Sequence, residues 1–410
     1  MTDFERRLRA AMESAVASEQ PPGNLVQQVR RRHRRHTARV GVAGAAAVAV
    51  AAVLLPVGIR ASGHGSGPAG PHRPGIRPTV YVAYPNLSKV GEIIPIRLAT
   101  NKPGKPIRLR FNGFAAITPD GKTLYVATGD AVIPINTATN TPGNPIHLGA
   151  SRAFTIDINP DGKTAYVAGI FSDEVTPINI ATNTPGKPFH VPLGIFPALI
   201  AFTPDGRTAY VRTLDNTITP ITTATDTLGK PIRVGAGSDQ IAITPDGKTL
   251  YAAGTYAVTP ISTATNTPGK PIAIGHPASD IAITPDGKTA YVGSQFTVTP
   301  ISTATNMAGK PIRIDGGVLE MAITPDGKTL YVADPEEPPY AVTPISTATN
   351  TPGKPVRIGT GLAIAITPDG KTLYAAALNK VVPISTATNT PGKPIRYVSD
   401  GYPSQIVITP

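Results

Sequence analysis

The sequence predicts an all-β fold in which residues 79–410 close into an eight-bladed β-propeller, with one membrane-spanning helix ahead of it. Three observations carry that prediction. A Pro-Asp-Gly turn recurs with its Asp at 120, 161, 205, 246, 286, 326 and 369, spacings of 41, 44, 41, 40, 40 and 43. Each unit contains four short β-rich runs and no helical pattern, which is the make-up of one propeller blade. The repeat region also opens in the middle of a unit and finishes on the missing first strand of that unit.

Taken in chain order, residues 1–39 read as a basic amphipathic segment on the cytoplasmic side. Phe4, Leu8, Met12 and Ala15 recur at near-helical spacing, with Arg6, Arg7 and Arg9 between them. Six Arg lie between Arg30 and Arg39. Residues 40–59 (VGVAGAAAVAVAAVLLPVGI) then run 20 residues without a charge, long enough to cross a bilayer. Positive charge immediately before an apolar span predicts a cytoplasmic N-terminus and an extracytoplasmic remainder. A cleaved signal peptide is the rival reading, but the 39 residues ahead of the span are long for the start of one, which favours a signal anchor. Residues 60–78 form a Gly/Pro-rich linker.

The repeats follow. A clean copy runs Ile241-Ala-Ile-Thr-Pro-Asp-Gly-Lys-Thr-Leu-Tyr-Ala-Ala, then Ala257-Val-Thr-Pro-Ile-Ser-Thr-Ala-Thr-Asn-Thr-Pro-Gly-Lys-Pro-Ile-Ala-Ile. The four runs are strands A (IAIT), B (TLYAA), C (AVTPIST) and D (KPIAI). Pro-Asp-Gly suits a type I turn between A and B, with Gly accepting positive φ. Thr-Pro-Gly-Lys is expected to turn between C and D as a type II turn. Thr79-Val-Tyr-Val-Ala83 is a B strand without an A strand, and Ile406-Val-Ile-Thr-Pro410 is an A strand without a B strand. Pairing them removes the sheet edge each would expose.

The run ITPDGKTLYVA followed by a C strand ending in TATNT resembles the YVTN-repeat family of surface and secreted β-propellers, the YncE-like group. That resemblance covers residues 79–410 and implies a fold rather than a reaction. Such propellers are commonly seven-bladed, the alternative count here, so eight blades would be a departure. A second departure is Pro in strand C (Pro134, Pro177, Pro220, Pro260, Pro300, Pro344, Pro383), where a bulge is expected because Pro lacks a ladder donor.

Composition narrows the functional classes. With no Cys, disulfide frameworks, thiolate catalysis and Cys-ligated zinc are excluded. With no Trp and 5% aromatic residues, base-stacking platforms are disfavoured. The net charge of +12 divides into +6 over residues 1–60, where ten Arg face four acidic residues, and +6 spread over the other 350. The dense charge therefore belongs to the membrane-flanking segment, and no nucleic-acid partner is expected.

Loop lengths separate the two faces of the disc. The distance from the ITPDG Pro to the strand B Tyr is 6 in all seven complete copies, and from the strand C Pro to the GKP Pro it is 11 in all eight. Tyr to the strand C Pro instead varies from 9 to 14. B–C and D–A loops share one face, so the variation and the candidate binding residues fall there. Those candidates are Asp173, Glu174, Arg212, Asp334, Glu336, Glu337 and Tyr340. At the entry to strand A, next to the channel, stand Gln240, Asp280, Glu320 and Gln405. His276 lies four residues before Asp280, a spacing that places no third metal ligand. The uniform face carries a Lys or Arg after each Pro-Asp-Gly, read as solvated turn residues.

No nucleophile elbow, phosphate loop or metalloprotease helix occurs, and no cofactor or metal is expected. The expected function is a non-catalytic binding or scaffolding module at the cell surface, partnered by a cell-envelope protein or polymer. The alternative is a propeller enzyme of lactonase or lyase type with its site at the channel mouth.

Overall fold

The computed structural model describes residues 78–410, apart from residues 86–89, 112, 150–152, 170–171, 192–196, 214, 236, 238–239, 335–339, 360 and 400–401. The basic segment, the apolar run 40–59 and most of the linker lie outside the described residues. Among the described residues no helix is long and apolar enough to cross a membrane.

Eight antiparallel sheets form the eight blades. Blade 1 combines Thr79–Tyr84 as strand B and Gly91–Arg97 as strand C with Gln405–Ile408 as strand A. Its seam pairs Val80 with Ile408, Tyr81 with Val407 and Val82 with Ile406. The Thr79 amide donates to Thr409 Oγ1 at 2.8 Å, and the Thr409 amide donates to the Thr79 carbonyl at 3.0 Å. The seven-bladed alternative is thereby excluded. Blades 2 to 8 follow in chain order, their A strands opening at Ala115, Ala153, Pro197, Gln240, Ala278, Glu320 and Gly361. Each A strand touches the A strands of both neighbouring blades, so the eight line a central channel.

The apolar core is divided in the same way, with one cluster between each pair of adjacent blades. Between blades 8 and 1, for example, Val80, Val82, Ile94, Ile96 and Ile406 pack against Tyr374 and Ala376. Successive strand residues point to opposite faces. Tyr and Ala of strand B thus face the following blade, while Leu and Val face the preceding one.

The A–B turns match the expectation. The Gly121 amide donates to the Thr118 carbonyl at 2.7 Å, and Gly121 has φ 71°. The C–D turn does not. It is made by Thr-Ala-Thr-Asn, with Asn140 at φ 58° and its amide bonded to the Asn136 carbonyl at 2.7 Å. The Pro-Gly that follows belongs to strand D, which is split into Thr141–Pro142 and Ile146–His147. Asn tolerates the left-handed region, so no Gly is needed at the turn.

The bulge expected at the strand C Pro falls on its neighbour instead. Strand C of blade 2 runs unbroken from Ala131 to Asn136, pairing Pro134 with Tyr125. Its pairing with strand D slips by one residue, from Ile135↔Pro142 to Val132↔Ile146. The Pro134 carbonyl accepts from the Gly143 amide at 2.7 Å, so the donorless Pro nitrogen points at the bulge rather than at strand B. Gly suits this position because a Cβ would crowd the Pro ring, at 3.3 Å from Cγ in the Gly143–Pro134 pair and 2.8 Å in the Gly229–Pro220 pair.

Candidate functional site

Strand A enters each blade from the variable face, and its first residues form the channel mouth. Asp280 follows a one-residue bulge between Ala278 and its own pairing with Gly293, which turns its side chain toward the next blade. There Asp280 Oδ2 accepts from the Met321 amide at 2.7 Å, while Oδ1 accepts from the Ile281 amide at 2.7 Å. Glu320, one blade on, repeats the reach: Oε2 accepts from the Ile364 amide at 2.8 Å. Gln405 makes a two-way version, with Oε1 accepting from the Ala115 amide at 3.0 Å and Nε2 donating to the Ala115 carbonyl at 2.9 Å. Three of the four residues expected at the channel mouth therefore bind adjacent A strands together.

Gln240 occupies the same register on blade 5, opposite Ala253. It is 3% exposed, and its Nε2 has no hydrogen-bond partner among the described residues. The pairing that Gln405 makes is closed to it, because the Ile281 amide on the next strand already donates to Asp280.

Glu320 is partly exposed at the residue level, with its carboxyl enclosed by protein. Burial raises its carboxyl to about 8, opposed by the Ile364 amide and reinforced by the nearby Asp280 charge. At neutral pH it is largely a protonated, neutral donor.

The loop candidates divide by location. Asp173 is exposed and pairs with His190 Nδ1 at 3.1 Å. That contact holds the imidazole above its ordinary range, with Glu174 adding a weaker pull from 3.9 Å. Arg212, expected on the variable face, is instead a buried strand residue opposite Leu199, at a register where blade 5 has Ala253. Asp334 ends strand B of blade 7, so close to Gly316 that no Cβ fits there. Tyr340 is half-buried, its carbonyl accepting from the Ile358 amide at 3.0 Å. His276 is exposed. Glu336 and Glu337 lie outside the described residues. Among the described residues no group of three His, Asp or Glu side chains gathers as a metal site.

Two further features stand out, the first partly legible in the sequence, where Ser294-Gln-Phe296 already marks a variable-face loop. The large apolar side chains exposed on the variable face include Tyr256, Phe296 and Tyr402, at 66%, 47% and 59% exposure. On the uniform face, each strand B Tyr donates its hydroxyl to the left-handed residue of the next blade's C–D turn. Tyr81 reaches Asn140 at 2.7 Å, Tyr251 reaches Asn306 at 2.6 Å, and Tyr166 reaches Asp226. Burial lifts Tyr125, Tyr210, Tyr251, Tyr331 and Tyr374 to about 12, keeping these donors protonated. The turn lysines on this face contact the Asp of their own turn, Lys122 and Asp120 at 3.2 Å for example, in exposed pairs of small energetic weight.

No protein-family model matches the sequence, and no curated protein matches it. Solved structures do. Kuenenia stuttgartiensis hydrazine synthase is 24% identical, with a TM-score of 0.53, and the match covers 70% of this chain and 95% of that one. Dihydro-heme d1 dehydrogenase NirN, in complex with DHE, is 13% identical, with a TM-score of 0.69 over 80% of this chain and 75% of that one. At these identities the likeness carries the propeller fold and nothing of the chemistry.

Proposed function

We propose that the protein is a membrane-anchored propeller, displayed outside the cell, that binds an envelope protein or polymer through its variable face without catalysing a reaction. The observation that carries this reading is the division of labour at that face. The carboxylates that chemistry would need are engaged in bonds between blades, Asp280 with both oxygens, while large apolar side chains stand exposed on the surrounding loops. The anchor and orientation rest on residues 30–59, and the YVTN-repeat assignment on the recurring Tyr and TATN pattern, whose Tyr and Asn meet in every blade pair but one.

A second reading, a propeller enzyme of lactonase or lyase type, has one observation in its favour. Glu320 holds a proton near neutral pH beside the channel, a property suited to general acid–base work. The two named neighbours are a synthase and a dehydrogenase, but neither supplies a residue role to this chain.

The test uses the full chain. Protease added to intact cells should degrade the propeller and leave a protected N-terminal fragment of about 60 residues, the length up to the end of the apolar run. Purified protein should also co-sediment with isolated cell envelope. Recovery of the chain from the cytosol, or no retention by envelope, would overturn the reading.

A further inference from the structure

The junction of blades 8 and 1 gathers, on the variable face, most of the large apolar side chains that the described residues leave exposed. Of seven such side chains, four stand here: Val398 at 84%, Tyr402 at 59%, Val90 at 46% and Leu378 at 36%. Leu378 lies on the B–C turn of blade 8. Val398 and Tyr402 lie on the connection from blade 8 to strand A of blade 1, and Val90 immediately precedes strand C of blade 1.

Hydrogen bonds make these loops one surface. The Tyr397 amide donates to the Asn379 carbonyl at 3.2 Å and the Ser399 amide to Asn379 Oδ1 at 3.1 Å. Val398 is thereby seated over the turn that carries Leu378. The Tyr397 and Tyr84 hydroxyls are hydrogen-bonded to each other, and Tyr84 pairs across strands with Glu92, two residues beyond Val90. The Ser404 amide donates to the Ala83 carbonyl at 2.9 Å, which holds the Tyr402 segment beside the same strand.

The charges bordering this patch are predominantly positive. Lys380 opens strand C of blade 8 and stands directly opposite Arg396 of strand D. In other blades the strand D arginine faces Glu92, Thr217, Thr297 or Ala341. Like charges directly opposite one another destabilise a sheet. Among the described residues neither Lys380 nor Arg396 has an ion-pair partner. Exposed Arg110 follows Leu109, the partner of Gly91, so the register continues to Val90. Glu92 is held by Arg108 at 2.9 Å. Lys89 and Asp400 lie outside the described residues and offset each other in formal charge.

These features narrow the occupant. Bulky apolar side chains at loop tips need an apolar phase to enter, and the cations beside them need anions at its border. A second copy would offer Lys380 and Arg396 only the same cations. A bilayer with acidic headgroups supplies both, phosphates at the surface and acyl chains beneath. The path of the chain agrees. Blade 1 directly follows the 19 residues 60–78, and its first strand carries the chain from Thr79 to Tyr84, a rise of about 17 Å. A flexible coil of that linker's length spans roughly 22–26 Å, so a bilayer holding residues 40–59 is within reach of the patch.

We propose that the junction of blades 8 and 1 rests on an anionic lipid bilayer. Val398, Tyr402, Val90 and Leu378 enter the headgroup layer, and Lys380, Arg396 and Arg110 face lipid phosphates. The inference rests on the membrane-anchored reading and names the contact by which the propeller lies on that membrane.

The sequence has no Trp, so Val398→Trp gives the full chain a single indole reporter at an exposed position. In vesicles of phosphatidylcholine and phosphatidylglycerol its emission should shift to the blue and be quenched by brominated acyl chains. In phosphatidylcholine alone, or at high salt, the emission should stay at its value in water. Phe296→Trp, on blade 6, should escape quenching in both vesicles. Adding Lys380→Gln to the reporter chain should lower the ratio of docked to free propeller about fivefold, while raising the melting temperature by relieving the repulsion with Arg396. The proposal is overturned if Val398→Trp is not quenched in the anionic vesicles or is quenched equally in neutral ones. It is also overturned if Phe296→Trp is quenched as strongly, or if Lys380→Gln leaves the docked ratio unchanged. Release of the protein from the vesicles by alkaline carbonate would defeat the anchor instead, and quenching measured before that wash still decides the contact.

Discussion

The Tyr374 hydroxyl donates to Asn101 Oδ1 at 2.5 Å across 273 residues of sequence, joining blade 8 to blade 1 with the same contact that joins other adjacent blades. Asn101 is at φ 50°, as its counterparts Asn140, Asn183, Asn266, Asn306, Asn350 and Asn389 lie between 53° and 58°. One residue type meets both demands, a left-handed backbone and a side-chain acceptor. Asn101→Gly should lose only the hydrogen bond, about 1 kcal/mol. Asn101→Ala should lose that and about 1 kcal/mol more for a Cβ in the left-handed region. Urea denaturation of the two variants checks the difference, and Asn306→Gly and Asn306→Ala should reproduce it on the far side of the ring.

Ring closure through the 405–408 strand predicts a larger effect. Ile406 and Val407 are buried against blades 8 and 2, and burial of such side chains contributes roughly 1.5–3 kcal/mol each. Removing residues 402–410 should abolish the single cooperative melt and produce aggregation on size-exclusion chromatography. An unchanged melt would mean that the seam does not hold the ring.

Glu320 predicts an unusual pH profile. Its folded-state value near 8 lies above the ordinary 4.5. The folded protein therefore binds this proton more tightly than the unfolded chain. The resulting stability is complete below about 4.5 and fades as pH rises toward 8. The turn aspartates act in the opposite sense. Hydrogen bonds from the Thr244 hydroxyl and the Lys248 amide hold Asp246 below its usual value, so its contribution fades as pH falls below about 4. Thermal melts from pH 3 to 9 should show both slopes. Glu320→Gln should flatten only the upper one, leaving the variant more stable than the parent at pH 9.

The strand D bulge predicts that Gly229 is the glycine least tolerant of a side chain in its series. A Cβ there would stand 2.8 Å from Pro220 Cγ, against 3.3 Å for Gly269 and Pro260. Gly229→Ala should cost about 1–3 kcal/mol and Gly269→Ala distinctly less, as read from their denaturation midpoints.

The blade count and the seam at residues 79–84 and 405–408 were legible in the sequence because every copy keeps strand period and turn spacing in step. The C–D turn was not. Pro-Gly is a strong turn signal, but its Gly adopts no left-handed backbone here, and Asn140 makes the turn three residues earlier. Aligning the repeats found Asp280 and Glu320 as neighbours, yet their bonding partners, the Met321 and Ile364 amides, lie 41 and 44 residues downstream. Only the stacking of blades reveals that contact. Arg212 misled for a related reason, since a charge in a repeat otherwise holding small residues looks like surface variation and is in fact buried.

The shared first blade also sets a schedule for vectorial synthesis. Thr79–Tyr84 emerges first among the strands, but its partner Gln405–Ile408 follows more than 300 residues later. At the usual pace of translation, roughly 5–20 residues per second, that interval is roughly 15–65 s. Throughout it the inner edge of Thr79–Tyr84 is available to any strand that passes, including the same strand of a neighbouring nascent chain, so crowded synthesis should favour intermolecular swaps at this one edge.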